Sequence, residues 1–79
     1  MEKVWVVDDD RSIRWVLEKA LKGASMDVRT FENADSALRS LDRDHPDVII
    51  SDIRMPGMDG FEFLKNVHTR NPDLPVIII

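Results

Sequence analysis

The chain has 79 residues, with 11 lysines and arginines against 15 aspartates and glutamates, a formal net charge of −4 and no cysteine. That length holds one small domain; the acidic balance argues against direct nucleic-acid binding, and without cysteines there are no disulfides, thiol catalysis or zinc–thiolate sites. No apolar run approaches membrane-spanning length, and the apolar start meets aspartates after a few residues, so no signal peptide is expected and the expected location is cytoplasmic.

Val4 to Val7 is a short β-branched and aromatic run that predicts a buried strand. It feeds into three aspartates, Asp8, Asp9 and Asp10. Asp10 or Ser12 is placed to cap a following helix, in which Ile13, Val16, Leu17, Ala20 and Leu21 recur on one face. Gly23 stands where a glycine stop belongs. Met26, Val28 and Thr30 alternate with Asp27, Arg29 and Phe31, which suits a second strand exposed on one side. Asn33 is placed to cap a short helix carrying Ala34, Ala37, Leu38 and Leu41, and His45-Pro46 breaks the pattern. Val48 to Ser51 reads as a third strand. Asp59 or Gly60 opens a third helix with Phe61, Leu64 and Val67 inward, and Asn71-Pro72 ends it. Pro75 to Ile79 reads as a fourth buried strand. Strands alternating with helices argue for a parallel sheet with helices on both faces.

In such a sheet, ligands bind beyond the carboxyl ends of the strands, where the strand order reverses. Asp8 and Asp9 lie at that end of the first strand and Asp52 at that end of the third. If those strands are neighbours, three carboxylates converge. They would repel and take up protons unless a cation intervened, and oxygen ligands open to solvent suit Mg²⁺. A carboxylate is also a nucleophile that forms an acyl phosphate on phosphoryl transfer. Asp52, alone on its strand and facing the pair, is assigned as that nucleophile. Asp9 is assigned as the main Mg²⁺ ligand, Asp8 as acting through a metal-bound water, and the backbone carbonyl of Arg54 as a further oxygen ligand. Gly57 and Gly60 let the following loop turn tightly. Asp10 reads as a cap only. Trp5, Trp15, Met55 and Met58 read as packing residues, with Trp15 at a helix edge or a dimer contact. His45 is expected exposed in its loop. His68 falls late in the third helix, where a cation suits the dipole. Neither histidine is assigned chemistry.

"VVDDD" and "SDIRMPGMDG" resemble the acidic pair and the phosphoacceptor segment of the receiver domains of two-component response regulators. "SIRWVLEKAL" together with "DIRMPGMDG" is most similar to the NtrC-type subgroup, associated with nitrogen regulation and sigma-54-dependent transcription. The resemblance implies an α/β fold, a flavodoxin-like (CheY-like) doubly wound parallel sheet. Here it would be incomplete, in strand order 2-1-3-4, the family's 2-1-3-4-5 cut short. It implies that Asp52 is the phosphoacceptor, that a sensor histidine kinase is the donor, and that Asp8, Asp9, Asp52 and the Arg54 carbonyl bind Mg²⁺. No enzyme activity is implied beyond autocatalytic phosphorylation and dephosphorylation of that aspartate. By the resemblance, residues 1–79 form a single truncated receiver. The family's switch Ser/Thr, its Lys, the fourth helix, the fifth strand and the fifth helix fall beyond Ile79. An open strand edge and an uncovered sheet face are then expected, and with them association of two copies into a homodimer. The alternative reading is a truncated or engineered self-associating fragment without signalling activity. A metal-dependent phosphatase with an aspartate nucleophile usually places a second Asp two residues later, and that position is Arg54.

Overall fold

The computed structural model describes residues 1–79. Strands β1 (Lys3–Val7), β2 (Asp27–Phe31), β3 (Val48–Ser51) and β4 (Val76–Ile78) alternate with helices α1 (Arg11–Gly23), α2 (Ala34–Ser40) and α3 (Gly60–Arg70). The strands form one parallel sheet in the order β2-β1-β3-β4. This is the flavodoxin-like order expected from the sequence, and it reverses between β1 and β3.

β1 is central, and its Val4, Trp5, Val6 and Val7 are all buried. Burial of each valine stabilises the fold by roughly 1.5–3 kcal/mol. Right-handed crossovers put α1 on one face of the sheet and α2 and α3 on the other. On the second face Trp5, Val7 and Ile49 join Ala37, Leu38, Phe63 and Val67 in one core, with the Trp5 and Phe31 ring centroids 4.9 Å apart. Each helix begins at a side-chain cap. Asp10 accepts from the amides of Ser12 (2.8 Å) and Ile13 (3.3 Å), Asn33 from Ser36 (2.9 Å) and Asp59 from Glu62 (2.9 Å).

The structure departs from the sequence-based expectations at five places. Gly23 is the last helical residue of α1, and the left-handed turn that ends the helix falls instead on Ser25, at φ 65°. In α3, Phe63 is fully buried and Phe61 is 59% exposed. Two residues apart on a helix, they face nearly opposite ways, and Phe63 lines up with Val67 four residues on. Phe31 is buried although it alternates with Thr30 beside exposed Asp27 and Arg29, because it closes against Trp5 where α2 begins. In α1, Leu17 and Leu21 are half-buried, but Ile13 and Val16 are exposed, as is Ala20. The helix lies over β1 and β2, which do not span its whole apolar stripe. Finally, β4 is not a buried strand. It is three residues long at the sheet edge, and Ile77 and Ile79 are exposed. Register puts Val6, Ile50 and Ile77 on one side of the sheet, the α1 side, where no helix reaches β4.

Candidate functional site: an acidic cluster at the ends of β1 and β3

Parallel pairing sets Val7 beside Ser51, so the next residues, Asp8 and Asp52, leave the sheet as neighbours. The ladder continues one step further. The Asp52 amide donates to the Val7 carbonyl (2.9 Å), and the Asp8 amide to the Phe31 carbonyl (3.1 Å). Carboxylate oxygens of Asp8, Asp9 and Asp52 then lie within 4.8 Å of one another, at the point where the strand order reverses.

The three carboxylates differ in environment. Asp8 is buried, Asp52 half-buried and Asp9 exposed. Asp8 Oδ1 accepts from the Asp10 amide at 2.9 Å, and Asp52 Oδ1 from the Ile53 amide at 2.8 Å. Burial pushes the Asp8 carboxyl above the usual carboxylate range. The Asp10 amide opposes this, and the charges of Asp52, Asp9 and Asp10 add to it. A divalent cation would relieve the repulsion and replace lost solvation. The donor set is oxygen only, so these residues fit Mg²⁺ better than a soft metal.

The loop after β3 is tied down from both ends. Met55 is buried and Met58 packs on the core. Gly57 takes φ +80°, which favours glycine. The Gly60 amide donates to the Ile53 carbonyl at 2.7 Å. Arg54 is an exposed member of this loop, two residues past Asp52.

Two features were not foreseen from the sequence. The Arg14 guanidinium donates to the Asp8 carbonyl at 2.7 Å, tying α1 to the β1 tip; no local spacing signals this. Glu32, Asn33, Asp35 and Pro56 also line, with Asp9, a cleft of about 420 Å³ beside the cluster. The signal for that cleft was present in "FENAD", which follows a strand adjacent to β1 and so opens on the same sheet edge. Asn33 there read only as a helix cap.

The histidines take no part. His45 Nε2 lies 3.0 Å from Asn71 Oδ1, and His68 Nε2 lies 3.2 Å from the Leu74 carbonyl. Trp5 is buried; Trp15 is exposed, with the Lys19 ammonium 5.4 Å from its ring centroid. No helix is long and apolar enough to cross a membrane.

Comparison with known proteins bears on the same segment. Residues 4–79 match the family described as the response regulator receiver domain. The chain is 60% identical over 76 residues to the DNA-binding transcriptional regulator NtrC of Salmonella typhimurium, a match that covers 96% of this chain and 16% of that protein. The solution structure of the apo receiver domain of nitrogen regulatory protein C superimposes with a TM-score of 0.88 at 60% identity, over 98% of this chain and 62% of that one. The response regulator TrrA of Thermotoga maritima, solved in complex with Mg²⁺-BeF, superimposes with a TM-score of 0.95 at 32% identity, over 99% of this chain and 68% of that one.

Proposed function

The chain belongs to the response regulator receiver domain family and is of the NtrC type, and from that premise we propose that Asp52 is its phosphoacceptor, taking a phosphoryl group from a sensor histidine kinase. The observation that carries the proposal is the approach of the Asp8, Asp9 and Asp52 carboxylates to within 4.8 Å at the tips of adjacent strands. An Asp52 carboxylate oxygen attacks the phosphorus of a phosphohistidine. The P–O bond forms as the P–N bond breaks, and the leaving imidazole retains the electron pair. Asp52 is half-buried, so one side stays open to the incoming group, and its bond from the Ile53 amide holds the carboxylate in place.

Asp8, Asp9, Asp52 and the Arg54 carbonyl would hold Mg²⁺, which when bound neutralises charge on the transferring phosphoryl oxygens. That the similar TrrA receiver was solved in complex with Mg²⁺-BeF supports Mg²⁺ as the cation. The only activity in this reading is autocatalytic, the chain's own phosphorylation and the hydrolysis of the resulting acyl phosphate. The chain spans about 16% of the length of its NtrC relatives. Its place as the signal-receiving segment of a cytoplasmic transcriptional regulator is part of the same proposal.

Intact mass after incubation with Mg²⁺ and a small-molecule phosphodonor tests it, with Asp52→Asn alongside. A phosphoryl adduct on the parent that the variant lacks is the expected result. A folded chain that takes up no phosphoryl group would overturn the proposal and favour the non-signalling fragment.

A second reading concerns association. We propose that a second copy of the chain covers the apolar strip of Ile13, Val16 and Ile77, all more than 40% exposed. Ile77 lies on β4, the edge strand, and faces the same side of the sheet as α1, and the outer backbone groups of β4 have no strand partner.

A further inference from the structure

A second charged concavity lies away from the acidic cluster, between β2 and α2. It has a volume of about 630 Å³, within the range of small-ligand sites. Arg29 and Thr30 from β2 form one wall, and Ser36, Arg39, Ser40 and Arg43 form the other. These last four are spaced i, i+3, i+4 and i+7, so α2 and the turn after it present a single stripe of donors.

Three guanidinium groups thus converge on one hollow in a chain whose net charge is −4. Arg29 sits against two aromatic rings, with its guanidinium carbon 4.8 Å from the Phe31 ring centroid and 5.7 Å from that of Trp5. Its nearest carboxylate, Asp44, is at 4.0 Å and is also engaged by Lys3. Arg39 donates to the Ser36 hydroxyl at 3.2 Å. Neither Arg39 nor Arg43 forms an ion pair, and Asp42 on the rim is engaged by Arg70 at 3.4 Å. Donors therefore outnumber acceptors in the hollow.

We propose that this concavity binds a compact, multiply phosphorylated small molecule, independently of the acidic cluster. Guanidinium forks match phosphate oxygens in pairs, and three hydroxyls stand beside them to complete the coordination of a polyphosphate. The lining favours such a ligand over an acidic peptide, because Phe31 is its one apolar residue, which leaves little apolar surface to bury the side chains that accompany a peptide's carboxylates.

Calorimetric titration with inorganic tripolyphosphate, in chelator and at physiological salt, tests the proposal. Saturable binding is expected in the parent and in Asp52→Asn. It should weaken at least tenfold in Arg39→Gln/Arg43→Gln, and remain unchanged in Lys19→Gln/Lys65→Gln, which removes the same charge elsewhere. Circular dichroism checks that each variant is folded, and Arg43→Gln alone serves if the double variant is not. Absence of saturable binding, or an equal loss in the lysine variant, would overturn the proposal. So would tighter binding of a glutamate-rich peptide than of tripolyphosphate, which would make the hollow a peptide site.

Discussion

The first residue of α3 rests directly on the peptide unit of Asp52: a Cβ on Gly60 would overlap the Asp52 carbonyl oxygen and lie 2.9 Å from the Ile53 Cα. Both obstacles are backbone atoms, so no side-chain rotation makes room. The Gly60 amide is committed in the same place, donating to Ile53 at 2.7 Å. Gly60→Ala is therefore expected to destabilise the protein by about 1–3 kcal/mol or more, as overpacking does. Gly57→Ala, strained by its φ of +80° but otherwise in open space, should cost about 1 kcal/mol. Urea denaturation of the two variants gives the comparison, and a smaller loss in Gly60→Ala than in Gly57→Ala would contradict this account.

Two aspartates make opposite contributions on acidification. Asp8 is raised above the ordinary value of 3.8, chiefly by burial. Its charge therefore opposes folding at neutral pH, and the penalty is relieved as pH falls through the raised folded value towards 3.8. Asp44 is lowered from 3.8, first by its hydrogen bond from the Lys3 ammonium and next by that from the His45 amide. It supports folding above 3.8 and loses that support as pH falls through the lower folded value. In chelator, Asp8→Asn should be more stable than the parent at pH 7, with the gap closing near pH 4. Asp44→Asn should be less stable than the parent at neutral pH and should converge with it in stronger acid. Thermal melts across the range decide both.

Mg²⁺ should reverse the advantage of Asp8→Asn. The parent is expected to gain thermal stability with added Mg²⁺, by mass action on the folded state, and Asp8→Asn and Asp9→Asn to gain less. Equal stabilisation of parent and variants would remove these residues from the ligand set.

The cap at Asp10 is separable from the cluster beside it. Its side chain serves the Ser12 and Ile13 amides, and only its backbone amide reaches Asp8. Asp10→Ala should cost about 1 kcal/mol of stability and leave the Mg²⁺ midpoint nearly unchanged, measured by titration followed through tryptophan fluorescence.

Association should depend on the apolar strip. Sedimentation of the parent at high concentration is expected to show a dimer. Val16→Lys and Ile77→Lys, both at exposed positions, should shift it towards monomer at little cost in folding. A strictly monomeric parent would dismiss the second copy as the occupant.

The strands and helices were legible in the sequence because their signals are local: apolar runs for β1 and β3, and the caps Asp10, Asn33 and Asp59 at their helix starts. The placing of Asp8, Asp9 and Asp52 at strand tips could be read in the same way, and it is what singled them out as a site. Their approach was legible only through the family resemblance, which implies that β1 and β3 are neighbours. No local signal carries it, because it depends on the β1–β3 register, a property of two segments far apart in the chain. The same holds wherever local spacing permits two outcomes. Phe61 and Phe63 are equally apolar, and only packing against the sheet decides which enters the core. The α1 stripe predicts burial, but β1 and β2 cover only part of it. Glu32 and Asp35 join the acidic edge, and Arg29 faces Arg39 and Arg43, only once the sheet is assembled. A sequence carries local preference residue by residue, whereas burial and charge neighbourhood belong to surfaces that exist only after distant segments have met.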